Sequence, residues 1–203
     1  MADEQVAGRG RHGRQWLAAP GTALLLSILF CEAVHLPWRY TSLVSLALAE
    51  AIELVVPGVR PAIKWPNDLV LVDGRKLAGV LAESFSEADH LVVIVGAGLN
   101  VSASPTGLPG PATSLSAAAG RPVDRGELLH ALVGRLDAWL ARPVDAAQSA
   151  WQTRLWGRGQ RLRLTDLGTD ETVVVLGAEP NGALRVRLPD GSERWTTTGE
   201  LLP

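Results

Sequence analysis

Cysteine is almost absent. The single Cys31 lies inside an apolar run, so no intramolecular disulfide can form and Cys31 is expected to be a small core hydrophobe. That usage points to a reducing compartment, the cytoplasm. Lysine is nearly as scarce, with Lys64 and Lys76 standing against seventeen arginines. In a chain that uses arginine for almost every cation, these two positions suggest sites wanting a compact ammonium rather than a planar fork. Asparagine occurs only as Asn67, Asn100 and Asn181, and Asn181-Gly182 is a turn signal. No apolar run suffices to cross a bilayer, because Glu32 closely follows the most hydrophobic stretch, Thr22 to Phe30. The N-terminus has no basic-then-apolar secretion signal. A net charge of -2 and a pI near 6.1 argue against a dedicated nucleic-acid binder. Neither membrane nor DNA is expected as a partner.

What remains is a globular balance, 47% hydrophobic and 20% charged over 203 residues, enough for one full domain and a small one. Thr22 to Phe30 reads as a fully buried strand. Pro37 breaks the next segment. Thr41 or Ser42 then caps a helix to about Val56, with Leu43, Val44, Ala47, Leu48, Ala51, Leu54 and Val55 on its apolar face and Ser42, Ser45, Ala49 and Glu53 away from it. Ala62 to Val72 opens as a strand, and Asp73-Gly74 turns it into a return strand from Lys76 to about Phe85. Glu87 to His90 is turn-like, and Leu91 to Val95 is another buried strand leading into Gly96-Ala97-Gly98-Leu99-Asn100. Ser102 to Gly120 reads as loop. Asp124 caps a helix to about Ala141, with Leu128, Leu129, Leu132, Leu136 and Leu140 inward, and a further helix spans Asp145 to Trp156. From Gly157 onward, four short alternating runs are separated by turns at 166–168, 180–182 and 189–191. They predict a small antiparallel barrel that docks on the larger domain.

Three segments carry candidate chemistry. The first is Gly8-Arg9-Gly10-Arg11-His12-Gly13-Arg14-Gln15-Trp16. Its arginines are permanently charged donors for carboxylate or phosphate, and its glycines make it costly to order, so it is expected to be mobile until an anion arrives. The dinucleotide fingerprint it formally matches needs a strand before and a helix after, and neither is present. Second is Lys64-Trp65-Pro66-Asn67-Asp68, where Pro66 marks an edge or bulge and Asp68 beside Asn67 offers hard oxygens suited to Mg²⁺. Third is Gly96 to Asn100, whose glycines let backbone approach a ligand. Taken singly, each also fits a blander role: an exposed basic loop, a polar hairpin, a tight turn.

In this order, and with Lys76-Leu77-Ala78-Gly79-Val80-Leu81 between them, the segments resemble the biotin protein ligase family. The resemblance implies a mixed-sheet α/β (α+β) catalytic domain of the class II synthetase-like type over 1–156, and an SH3-like barrel over 157–203. It also implies ATP-dependent ligation of biotin to a lysine of a biotin carboxyl carrier protein domain through biotinyl-5′-adenylate, with MgATP and biotin as substrates. Lys76 and Arg11 would be catalytic. Gln5, Arg9, Gly10, Arg11, Lys76, Gly79, Gly96 and Gly98 would bind biotin. Arg14, Lys64, Asn67, Asp68 and Asn100 would serve ATP, with Asp68 also a ligand of the metal.

The sequence departs from the family's pattern in one respect. Family members carry a Ser/Thr-Thr/Ser-Asn motif several dozen residues before the arginine loop, whereas here the loop begins almost at Met1. The expectation is an N-terminally incomplete catalytic domain without a helix-turn-helix, binding biotin weakly. Two readings compete: a lipoate-type acyl ligase, and a ligand-binding remnant that does not release pyrophosphate.

Overall fold

A computed structural model describes residues 1–32, 37–87, 90–102, 111–166 and 169–203. The expected turns at 88–89 and 167–168, and the loop at 103–110, lie outside the described residues. The elements run β1 (Ala23–Glu32), α1 (Pro37–Val55), β2 (Ala62–Lys64), β3 (Asp68–Val70), β4 (Lys76–Glu87), β5 (His90–Asn100), α2 (Leu115–Ala119), α3 (Arg125–Leu140) and α4 (Val144–Thr153), then β6 (Arg161–Asp166), β7 (Thr169–Ala178), β8 (Leu184–Arg187), β9 (Glu193–Thr196) and β10 (Glu200–Leu202). No helix among the described residues is long and apolar enough to cross a membrane.

The first five strands form one sheet in the order β1-β5-β4-β3-β2, and the last five a second in the order β10-β6-β7-β8-β9. All their pairings are antiparallel, so the expected mixed sheet is corrected. The physical reason is the short connections from β2 through β5, which reverse the chain at each step. Among the described residues, parallel contact is limited to isolated bridges such as Lys76 with Ala112.

The two faces of the first sheet differ. Leu24, Val80, Val93, Val95 and Leu99 point to the helical side and are buried. There α1 packs on β3, β4 and β5, with α3 and α4 on its other flanks. Because α1 is enclosed this way, Ser42, Ser45 and Ala49, expected outside, are buried, while Leu54, expected inside, is exposed. The helix also starts at Pro37, not at Thr41 or Ser42, because a missing N–H costs nothing in a first helical turn. Tyr40 stacks on Phe30 with ring centroids 4.6 Å apart.

Four further expectations change. Cys31 is exposed, because β1 is an edge strand whose outer face is partly open, with Leu29 exposed as well. Gly96 to Asn100 continues β5 rather than turning. A short helix, α2, capped by Ser114, interrupts the loop expected to Gly120. In α3, Trp139 takes the inward place assigned to Leu140, which is partly exposed.

The second sheet is tied to the first unit by backbone as well as side chains. Trp65 Nε1 donates to Gly182 O at 2.9 Å in a buried hydrogen bond. Gly182 sits at φ 87°, and a methyl there would fall 2.4 Å from Cδ2 of Trp38. Gln148 and Gln152 of α4 both donate to Ala178 O.

Arg154, just past α4, makes a two-pronged pair with Glu53 of α1 at 2.6 and 2.9 Å. The hydrogen bond from Arg154 holds the Glu53 carboxyl below its ordinary value, against the opposing effect of burial. The folded state thus binds this proton more weakly than the unfolded one. The stabilisation is complete above the ordinary carboxylate range and is lost as pH falls through the depressed value. Glu53→Gln is expected to cost about 2 kcal/mol at pH 7. Denaturant titrations should show that difference shrinking towards zero in acid.

Candidate active site

The cavity opens on the face of the first sheet away from the helices and has a volume of about 660 Å³. Its floor follows from strand register. Leu25, Gly98, Gly79, Asp68 and Lys64 are successive partners across all five strands, and the next row is Ser27, Gly96, Leu81. Three of these positions are glycine, so nothing rises from the middle of the sheet and a ligand can lie on backbone.

Lys76 reaches this face because of a bulge. Leu69 pairs with Ala78 but Val70 pairs with Lys76, so β4 carries one residue more than β3 here. In a regular strand Lys76 and Gly79 would point to opposite faces. The extra Leu77 turns Lys76 to the cavity side while Leu77 itself is buried in the core. Lys76 Nζ lies 2.7 Å from Asp68 Oδ1 and 5.8 Å from the centre of the Trp16 ring.

The arginine segment folds as a small hairpin over this floor. Gly10 N donates to Arg14 O at 2.7 Å, Trp16 N to Gly8 O at 3.0 Å, and a tight turn with His12 and Gly13 at positive φ is closed by Arg14 N donating to Arg11 O at 3.1 Å. Gly8 is required by close approach: a methyl there would fall 2.4 Å from Trp16 O. The Trp16 indole lies directly against the floor. A methyl at Gly98 would fall 2.6 Å from its Cε2, and one at Gly79 3.3 Å from its Cζ3.

The remaining wall comes from the end of the chain. Arg11 donates to Gly199 O at 3.3 Å, Arg14 pairs with Glu200 at 3.2 Å, and Lys64 Nζ lies 3.7 Å from the other Glu200 oxygen. Burial, then the neighbouring Arg14 charge, push the Arg11 guanidinium below its ordinary value, opposed by Asp68 and Glu200. Arg9 pairs with Glu83 at 3.3 Å on an exposed margin.

Every position singled out in the sequence borders this one cavity: Gln5, Arg9, Gly10, Arg11, Arg14, Lys64, Asn67, Asp68, Lys76, Gly79, Gly96, Gly98 and Asn100. Asn100 is buried and its Nδ2 donates to Thr113 O at 3.1 Å, so half its amide fixes the chain leading into α2. Sequence reasoning missed Trp16 as a wall, along with Glu83, Trp156, Glu200, Leu202 and Pro203. Trp16 was legible within the arginine segment. The others carry no local motif.

The Biotin/lipoate A/B protein ligase family model matches residues 1–100. The biotin--[acetyl-CoA-carboxylase] ligase of Paracoccus denitrificans is 35% identical over 207 residues, covering 95% of this chain and 85% of that protein. The chain belongs to the biotin protein ligase family. The bifunctional ligase/repressor BirA of Bacillus subtilis is 32% identical, and this chain spans 62% of its length. The biotin protein ligase of Aquifex aeolicus, solved with biotin and ATP, superposes with a TM-score of 0.79 at 26% identity, over 98% of this chain and 85% of that one.

For this biotin protein ligase relative, the contact between Trp16 and the glycine floor gives a direct test. Gly98→Ala is expected to lift Trp16 and open the hairpin. Trypsin should then cut at Arg9, Arg11 and Arg14 about tenfold faster, the kinetic equivalent of about 1.4 kcal/mol. Unchanged cleavage would show that the hairpin does not depend on that contact.

Proposed function

We propose that this chain ligates biotin to a lysine of a biotin carboxyl carrier protein domain, using ATP, through biotinyl-5′-adenylate. The observation that carries the reading is the convergence of Lys76, the glycine floor and the arginine hairpin on one cavity. Residues 1–156 would form the catalytic domain, and 157–203 an SH3-like barrel closing one side. Consumption of ATP and the lone exposed thiol of Cys31 fit a cytoplasmic enzyme.

In the first step a biotin carboxylate oxygen attacks the α-phosphorus of ATP. The new O–P bond forms as the bond to the β-phosphate breaks, and pyrophosphate leaves. Two anions are brought together, so fixed cations must offset their repulsion and meet the charge that develops. Lys76, steadied by Asp68, suits the junction of carboxylate and phosphate because a compact ammonium can approach both. Gly96 gives biotin open backbone to lie on, Gly79 and Gly98 would join it as Trp16 lifts from them, and Gln5, Arg9 and Gly10 close over it. Arg11 and Arg14 lie over the adenylate and phosphates. Lys64, Asn67 and Asn100 serve the nucleotide. In the second step an acceptor amine attacks the acyl carbon, the amide forms, AMP leaves and the amine proton is released.

Magnesium fits as a companion of ATP rather than as a resident ion. No group of three or more His, Cys, Asp or Glu gathers among the described residues, and Asp68 is already paired with Lys76. MgATP would bring its ion on the phosphates, with Asp68 as one added oxygen.

Lys76→Ala is expected to lower biotin-dependent ATP–pyrophosphate exchange by about 100- to 1,000-fold. Exchange at the parental rate would remove Lys76 from the chemistry. Arg11→Ala is expected to retain adenylate formation but release the intermediate to water, read as AMP made without biotinylated carrier. Equal coupling of AMP to product in variant and parent would overturn that assignment.

A further inference from the structure

Most of the cavity's cations are already paired. Its cations are Arg9, Arg11, Arg14, Lys64 and Lys76, and its carboxylates are Asp68, Asp73, Glu83 and Glu200. Arg9 is held by Glu83, Lys76 by Asp68, and both Arg14 and Lys64 by Glu200. Among the described residues, Arg11 alone of these cations is given a carbonyl, Gly199 O, in place of a carboxylate. A polyphosphate entering such a cavity finds four of its five cations already engaged and must exchange for the anions that hold them.

Glu200 differs from the other three carboxylates. Asp68 is mostly buried and sits 2.7 Å from its lysine, so it is a fixed part of the floor. Asp73 is tied to Arg75 at 2.7 Å, and Glu83 pairs with the exposed Arg9. Glu200 offers one oxygen to Arg14 of the hairpin and the other to Lys64 at the end of β2. That is how two non-bridging oxygens of a phosphate group would engage the same cations. Its place is set by backbone: Gly199 stands at φ 110°, where a methyl would fall 2.8 Å from Thr165 O. About a third of the Glu200 side chain is exposed, so its pairs are screened and readily exchanged.

We propose that Glu200 is an internal stand-in for a phosphate group, holding Arg14 and Lys64 until a polyphosphate displaces it. The proposal rests on the ligase reading for the identity of the natural anion. Exchange has a mechanical consequence. The ties from β10 to the hairpin run through Gly199 and Glu200, so polyphosphate binding loosens the hairpin from the second sheet. The carboxylate lowers affinity for the incoming nucleotide, and by competing for the same cations it hastens departure of the polyphosphate product.

The test measures binding of inorganic tripolyphosphate and the KM for ATP on the full chain. Glu200→Gln keeps the shape and removes the charge. It is expected to tighten tripolyphosphate binding by about three- to tenfold and to lower the KM for ATP by a similar factor. Glu193→Gln, which removes a carboxylate paired with Arg187 on the same sheet, controls for net charge and should shift neither by more than about twofold. In the parent, tripolyphosphate should speed hydrogen exchange at residues 199–202; in Glu200→Gln exchange there should be fast already. Unchanged or weaker binding by Glu200→Gln overturns the proposal, as does a parent that binds no tripolyphosphate. Tighter binding by Glu200→Gln in a chain without biotin-dependent pyrophosphate exchange would uphold the stand-in and sink the ligase reading.

Discussion

The structure depends on the line of strand partners that runs Leu25, Gly98, Gly79, Asp68, Lys64 across the first sheet. It places two missing side chains at the centre of the sheet, a carboxylate beside them and a lysine at the far edge. Slipping a strand by a single residue would put its core residues into the cavity, and in β3 or β2 would turn Asp68 or Lys64 into the apolar side. The helical side prevents that slip, because Val80, Val93, Val95 and Leu99 must stay against α1. Packing energy on one face thus fixes the polar geometry of the other.

The bulge at Leu77 adds one correction to this pattern, and the place of Lys76 depends on it. A regular β4 would have turned the Lys76 ammonium into an apolar layer, at a large desolvation cost. Placing Leu77 there instead satisfies the core and delivers the ammonium to Asp68. The backbone around Lys76 is further fixed by Pro111 O and by Thr113 N, so the strand end is held from the α2 side as well.

The second sheet contributes more than bulk. Its turn at Asn181-Gly182 is locked under Trp65 and Trp38, and Gln152 grips both polar groups of Ala178. Those contacts aim β10 at the arginine hairpin, where Gly199 and Glu200 meet Arg11, Arg14 and Lys64. The buried hydrogen bond from Trp65 to this glycine turn, packed beside Trp38, thus helps seat the sheet that carries Glu200.

Most of the cavity was legible in the order of residues, because its chemistry is concentrated in local motifs. Arginines between glycines, two scarce lysines and glycines in an apolar strand each signal a demand that local sequence alone can express. Strand and helix positions were likewise readable from periodicity where a single neighbour covers each face, as in α3. Periodicity misled for α1, whose polar face is also covered, and for Cys31, whose strand proved to be an edge. By itself the sequence determined which side chains gather around one cavity. Only the tertiary structure decided which face Lys76 takes, that Trp16 rests on Gly98, and that Glu200 reaches both Arg14 and Lys64. Those three depend on register, on close approach and on the docking of a distant sheet, and none of them is a property of neighbouring residues in the chain.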